Sequence, residues 1–210
     1  MTITTYDDLG ICIAALAALG EGGIHSIEDP QTDVEAVCAV LFPLVLGTLL
    51  SMHEWNFANP VRQLAADPDV MEDDRAGYAY AHRLPANLLA GPFGVYSSPR
   101  RTDRIADYLV SGNYILSNSA VVFARYCART DIANMPLYFI DLAVTACSAR
   151  FAKPITDNTA LAEEKRIEAF GPADMNGRGG MFANAVVLDA RSRPMKSIFA
   201  NGDPLTAARY

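Results

Sequence analysis

Three histidines, His25, His53 and His82, are the side chains best suited to acid-base chemistry or metal binding near neutral pH. His53 and Glu54 begin the His-Glu-x-x-His pattern of zinc proteases, but Phe57 stands where the second histidine is needed. The histidines could still meet around a carboxylate, because a catalytic triad is defined by geometry rather than sequence order. The sequence contains no phosphate-binding loop, dinucleotide fingerprint or nucleophile elbow. We therefore predict no enzymatic activity, no cofactor and no metal site, with a cryptic enzyme as an alternative.

The four cysteines, Cys12, Cys38, Cys127 and Cys147, are far apart in the sequence and lie among apolar residues. None of them forms the Cys-x-x-Cys pair that is typical of zinc or redox sites. Free cysteine is often simply a small core residue. We therefore predict four buried, reduced thiols in a protein made in a reducing compartment.

The composition is that of a folded globular protein. Of the 210 residues, 51% are hydrophobic and 20% are charged, which excludes wholesale disorder and leaves enough chain to bury a core. Twenty-four acids against 17 bases give a formal net charge of -7. This sign is wrong for a protein whose main task is to hold nucleic-acid phosphates. Any contact with DNA should therefore be local or repulsive.

An unusually apolar segment runs from residue 36 to residue 52 and contains no acidic or basic side chain. Its length reaches the lower limit for a membrane-spanning helix. Its flanks carry Asp33, Glu35 and Glu54, without the lysine or arginine cluster that orients membrane helices. We interpret the segment as a helix that is buried in a bundle or between subunits. A small membrane-associated protein is the alternative interpretation.

Capping signals place two helices in the first sixty residues. The first should run from Leu9 to Leu19, with a capping box formed by Thr5 and Asp8. The second should run from about Asp33 to Phe57, with a capping box formed by Thr32 and Glu35. Trp55 and Phe57, at the end of the second helix, could anchor a partner, but we interpret them as residues that close the core beneath a sheet.

Strand signals follow between residues 77 and 127. Aromatic and β-branched residues alternate there with turn residues, and Gly112-Asn113 is a typical hairpin turn. The strands are expected near Tyr78 to His82, Phe93 to Ser97, Asp107 to Ser111, Tyr114 to Leu116 and Ala120 to Tyr126. We predict that they form one antiparallel sheet.

Helical patterns return after residue 130. A helix from Leu137 to Ala152 should be capped by Asn134 and stopped by Lys153-Pro154. Thr156 should cap the next helix, which covers residues 157–170. A short amphipathic helix is expected at residues 181–190, after a glycine-rich joint.

These elements predict an α+β fold that is mainly α: a helical bundle with an inserted small antiparallel β-subdomain and an extended C-terminal tail. Residues 1–175 should form a single domain. Its helical core comprises residues 5–60 and 131–170, and its β insertion comprises residues 77–127. Residues 176–210 should form the short helix and a docking tail.

The order of several short motifs resembles a known family, the tail tubular protein A or head-to-tail adaptor of short-tailed bacteriophages. The resemblance covers about residues 5 to 170. It rests on Ala-Leu-Gly-Glu at 18–21, Ser-Ile-Glu-Asp-Pro at 26–30, Trp-Asn-Phe at 55–57, Gly-Tyr-Ala-Tyr at 77–80, Leu84-Pro85, Gly112-Asn113, Tyr126, Met-Pro-Leu-Tyr-Phe at 135–139, Ala143 to Ala152 and Pro-Ile-Thr at 154–156.

The resemblance implies a structural virion protein, made in the cytoplasm of a bacterial host and located in the neck region of the phage tail. It implies a homo-oligomeric ring, usually a dodecamer, between the portal protein and the tail nozzle protein. Genome DNA would pass through its centre without sequence-specific binding, and an acidic lumen would repel phosphate. A connector or completion protein of another phage type is an alternative.

The C-terminal tail differs in charge from the rest of the chain. Five bases face two acids in residues 176–210, whereas the preceding part is strongly acidic. A basic tail with apolar residues should dock on an acidic partner surface, which the resemblance identifies as the portal. The predicted partner-binding residues are Arg191, Arg193, Lys196, Ile198, Phe199, Leu205 and Arg209.

Overall fold

A computed structural model of the chain describes residues 6–101 and 103–192. Within these ranges the chain forms five α-helices and six β-strands, so the fold is α+β and mainly α, as predicted. Their order is α1 (Asp8–Ala17), α2 (Asp33–Met52), β1 (Val61–Gln63), β2 (Tyr80–Arg83), β3 (Leu88–Tyr96), β4 (Tyr108–Ser111), β5 (Tyr114–Ser117), β6 (Phe123–Ala128), α3 (Leu137–Thr156), α4 (Thr159–Phe170) and α5 (Gly180–Arg191).

The helices form one body with α3 at its centre, packed against α1, α2, α4 and α5. Trp55 lies fully buried in this body. Its ring meets Phe139 and Phe182 edge-on, with ring centroids 5.1 and 5.8 Å apart, and its indole N–H donates to the carbonyl of Leu49 over 2.8 Å. The interpretation of Trp55 as a core residue is therefore confirmed. It packs among helices, however, rather than beneath a sheet.

The strands form two three-stranded antiparallel sheets, so the prediction of a single sheet is wrong. One sheet has the order β1-β6-β3 and the other β2-β5-β4. Because β6 pairs with β3 on one side and with β1 on the other, no edge remains for β5 to join it. Val95, Ile115 and Val122 belong to one small core that the two sheets share. The hairpin at Gly112-Asn113 joins β4 to β5 as predicted.

The boundaries of α1 and α2 differ from the prediction. Asp7 caps α1 by accepting the N–H of Gly10 over 2.7 Å, whereas Thr5 lies outside the described residues. The capping box of Thr32 and Glu35 at the start of α2 is confirmed. The helix ends at Met52 and not at the predicted Phe57, because His53 adopts an extended conformation.

The α3–α4 junction also differs. Pro136 occupies the N-cap position of α3, and Asn134 lies in a preceding turn of 3-10 helix. Pro154 does not stop α3 but lies in its last turn. The side chain of Asn158 caps α4 by accepting the N–H of Leu161 over 3.0 Å. The hydroxyl of Thr156, the predicted cap, instead donates to the carbonyl of Ala152 over 2.7 Å.

The last helix, α5, packs against α3 and α4. Phe182 and Ala185 are buried in the same core as Trp55. The helical body therefore extends to the end of α5 at Arg191.

Candidate functional site

Helix α2 has two apolar faces, and only one of them is covered within the chain. Its inner face, which includes Phe42 and Leu49, is buried in the helical body. Its outer face consists of Ala36, Val40, Leu44 and Thr48, one helical turn apart and all exposed. Val40 is 69% exposed and Leu44 is 59% exposed. An exposed stripe of uncharged residues on an acidic protein is typical of a surface that meets a partner.

By its length and composition α2 could cross a membrane, and 33% of its most apolar window is buried in the fold. The prediction that this segment is buried holds for the inner face. Leu46, which belongs to the segment predicted to be buried, is only half-buried.

A groove of about 670 Å³ runs beside the outer face of α2. Its lining includes the apolar residues Ile27, Phe42, Pro43, Leu46, Leu89 and Ile132. Of the residues that the structure describes, four exposed acids, Asp7, Asp8, Glu28 and Asp131, stand at its rim together with one base, Arg129. We call this feature the acidic groove.

The acids of the acidic groove are close enough to perturb one another. The pKa of Asp8 is raised, first because the carboxyl is partly withdrawn from water and then because Asp7, Asp131 and Glu28 repel its charge. Arg129 acts in the opposite direction. The rim therefore has an excess of negative charge, which a cationic partner would neutralise.

A buried carboxylate, Glu35, fixes the loop that carries Glu28. Its two oxygens accept backbone N–H groups of His25, Ser26, Gln31 and Thr32, at distances between 2.8 and 3.4 Å. These hydrogen bonds lower the pKa of Glu35 to about 2. One rim of the acidic groove is thus held rigidly against the start of α2.

A second buried carboxylate, Asp189, fixes α5. It accepts the backbone N–H of Asn56 over 3.0 Å and the hydroxyl of Tyr138 over 3.0 Å. His53 Nε2 lies 3.7 Å from its other oxygen. Burial and the bond to Asp189 raise the pKa of Tyr138. The cluster joins the turn after α2 and the central helix α3 to the helix that precedes the C-terminal tail.

The predicted partner-binding residues fall mostly beyond this anchor. Arg191 is the last residue of α5 and is exposed. Arg193, Lys196, Ile198, Phe199, Leu205 and Arg209 lie outside the described residues.

The histidines occupy different settings. His53 packs against Trp55 in the helical body, with ring centroids 4.8 Å apart. His82 is fully buried in β2 and its Nε2 lies 2.9 Å from the carbonyl oxygen of Ser119. Among residues 6–101 and 103–192, no group of three or more histidine, cysteine or acidic side chains could hold a metal ion.

All four cysteines are buried and free, as predicted. Burial raises the pKa of Cys127 to about 11 and that of Cys147 to about 12. The pKa of Cys12 is raised by its contact with Cys38 and by burial. Because the thiolate is the reactive form, these three thiols are poor nucleophiles at neutral pH.

The β insertion carries a surface of opposite charge, which the sequence reasoning missed. Arg100, Arg101 and Arg104 are exposed on the connection between β3 and β4. Their side chains form no ion pair within the part of the chain that the structure describes. We call these three residues the basic loop. Asp103 lies among the three arginines and Asp107 follows them, so the charge of this segment does not stand out in the sequence.

Compared with models of protein families and with curated proteins, the sequence matches none of them.

Proposed function

We propose that this chain is the subunit of a head-to-tail adaptor ring, set between the portal protein and the tail nozzle protein of a short-tailed bacteriophage. The order of the sequence motifs supports the proposal, as does the helical body with its β insertion. The observation that carries it is the outer face of α2, an exposed and uncharged helix surface beside the acidic groove. Such a surface suits a subunit that neighbours cover in a permanent assembly.

The charge of the chain supports a channel through which DNA slides. A net charge of -7 on each subunit gives a ring that is strongly acidic as a whole. An acidic lumen repels phosphate, so the genome would pass without being retained. In this proposal the protein binds no cofactor, performs no catalysis and is located in the neck of the virion.

Electron microscopy of the purified protein, alone and mixed with the portal protein encoded by the same genome, tests the proposal. We expect rings with a central channel, and on the portal we expect them at one end only. Leu44→Lys should weaken ring formation because it places a charge on the outer face of α2. Leu109→Lys is the matched control, since Leu109 is an exposed leucine on β4. The absence of rings in both preparations of the wild-type protein would contradict the proposal.

The C-terminal tail supplies the contact with the portal in this proposal, through Arg191, Arg193, Lys196, Ile198, Phe199, Leu205 and Arg209. A truncation should begin at Arg193, because the hydroxyl of Ser192 donates to the carbonyl of Asp189 over 2.7 Å and belongs to the α5 anchor. The truncated chain should fold but fail to bind the portal, and added salt should weaken binding of the intact chain. Unchanged affinity of the truncated chain would assign the contact to the helical body.

A second candidate, a membrane-associated protein, rests on the length and composition of α2. If α2 left the helical body for a bilayer, the core that it now covers would be exposed to water and the four hydrogen bonds of Glu35 would break. The acidic groove would also repel anionic lipids. Flotation with vesicles of neutral and of anionic lipid separates the two candidates, because an adaptor should stay in the aqueous fraction with both. A connector of another phage type would form rings but bind different neighbours.

A further inference from the structure

The acidic groove and the basic loop have complementary chemistry and lie at opposite ends of the same strand. Leu89, near the start of β3, lines the groove, whereas the basic loop follows Tyr96 at the end of β3. The strand pairs with β6 from Leu88 opposite Ala128 to Tyr96 opposite Phe123. Because β3 bulges twice against β6, the separation is set by the five residue steps from Phe123 to Ala128, which is roughly 17 Å at about 3.3 Å per residue. Arg104 pairs with Tyr96, and the N–H of Ser97 donates to the carbonyl of Asp103, so the loop is held at the end of β3 that lies away from the groove of the same chain.

We propose that the basic loop of one copy docks in the acidic groove of the next copy, and that this head-to-tail contact is the subunit interface of the ring. The inference rests on the proposed function, because it identifies the partner that covers the acidic groove beside α2 as a second copy of this chain.

Charge complementarity favours a second copy as the occupant of the groove. Among the described residues, the rim of the groove presents four carboxylates and one guanidinium. Residues 100–104 present three guanidinium groups, which form no ion pair among those residues, and the carboxylate of Asp103. Opposite charges that meet at an interface raise the rate of association and set the register of the partners. The apolar lining of the groove and the adjoining outer face of α2 add surface that the contact would remove from water.

The geometry also agrees with a closed assembly. Two different surfaces at opposite ends of one strand give a heterologous contact, in which each copy uses its loop on one neighbour and its groove on the other. Repetition of such a contact produces a ring when the rotation closes. Four charged residues of the two surfaces can be substituted without disturbing the core, because their side chains are exposed: Glu28, Asp131, Arg100 and Arg104.

Charge reversal on each surface tests the contact with the full-length protein. The groove variant carries Glu28→Lys and Asp131→Lys, and the loop variant carries Arg100→Glu and Arg104→Glu. Each variant alone should self-associate at least about tenfold more weakly than the wild type, as measured by sedimentation velocity. Mixed in equal amounts, the two variants should assemble again, because every loop then meets a groove of opposite charge. The charge-matched controls, Glu72→Lys with Asp73→Lys and Arg62→Glu with Arg83→Glu, change exposed residues elsewhere and should behave as the wild type.

Three results would overturn the inference. Assembly by either variant alone at wild-type strength would show that its surface lies outside the interface, and failure of the mixture to assemble would show that the two surfaces do not meet. If both variants still form rings on the portal, the contact is wrong while the adaptor proposal stands. If the wild-type chain forms no ring with or without the portal, the adaptor proposal fails as well.

Discussion

The helical body and the β insertion are stabilised in different ways. In the helical body one continuous core joins all five helices, and two buried carboxylates, Glu35 and Asp189, attach a loop and a helix to it. The β insertion has a smaller core under short strands. Two of its hydrogen bonds, from the hydroxyl of Tyr78 to Asp107 and from the hydroxyl of Tyr114 to Asp67, end on carboxylates that are more exposed than Glu35 and Asp189.

We infer that the helical body provides most of the stability of the chain, whereas the β insertion provides surface for contact with a partner. We expect substitutions in the helical body to lower the stability of the whole chain. Substitutions in the β insertion should cost less stability, which leaves its exposed loops free to carry charges for a partner. Substitutions in each region can break this division, and the largest effect is expected in the helical body.

Trp55→Ala should cause the largest loss. The substitution removes a fully buried ring from between Phe139 and Phe182 and leaves the carbonyl of Leu49 without its donor. We expect the free energy of unfolding to fall by about 4 kcal/mol in urea denaturation. Trp55→Phe keeps an aromatic ring and should lose about half as much. A loss below about 1 kcal/mol for Trp55→Ala would show that the body does not depend on this cluster.

Asp189→Ala should have the next largest effect. It leaves the N–H of Asn56 and the hydroxyl of Tyr138 without their acceptor in a buried setting. We expect a loss of about 2 kcal/mol, with faster hydrogen exchange concentrated in α5. Asp174→Ala removes an exposed acid and serves as the control. Equal exchange rates in α5 of the wild type and the Asp189→Ala variant would argue against an anchoring role.

Glu35 should give a stability difference that depends on pH. Its pKa in the folded chain, about 2, is below the ordinary value of 4.5, so its ionisation stabilises the fold above pH 4.5. This contribution is lost as the pH falls from 4.5 towards 2. We expect Glu35→Gln to lower Tm by roughly 5 °C at pH 7, and the gap to the wild type to narrow between pH 5 and pH 2.

Glu72→Gln is the control for Glu35, because Glu72 is exposed. Its Tm should follow that of the wild type at every pH. A gap between Glu35→Gln and the wild type that stays constant down to pH 2 would mean that the charge of Glu35 is not what holds the loop.

Local signals predicted the fold class and several element boundaries. The capping box of Thr32 and Glu35 and the hairpin at Gly112-Asn113 depend on residues within a few positions of one another, so both could be found from the sequence. Strand partners depend on residues far apart in the chain. For this reason the three-residue strand β1 was missed and the two sheets were predicted as one.

The candidate site was less predictable for the same physical reason. Asp8, Glu28 and Asp131 come from three separate segments, and no local pattern indicates that they meet around one groove. Asp189 could have been found, because it follows Phe182 and Ala185 at helical spacing and so lies on the apolar face of α5. The apolar character of α2 was evident, but the sequence could not show which of its faces the chain itself covers.

Ile115→Val should have the smallest effect and tests the division between the two regions most directly. Ile115 is fully buried in the small core of the β insertion, and Ile140 is buried in α3, so Ile140→Val is a matched substitution in the helical body. We expect Ile140→Val to cost about 1 kcal/mol and Ile115→Val about 0.5 kcal/mol. Because the insertion has the smaller core, we expect it to open without the body, so Ile115→Val should speed hydrogen exchange in β2, β4 and β5 while the amides of α3 change little. Ile140→Val acts on the core that joins all five helices and should speed exchange throughout the helical body. If both substitutions speed exchange equally in sheets and helices, the chain opens as one unit, and the low cost expected for the β insertion has no separate structural basis.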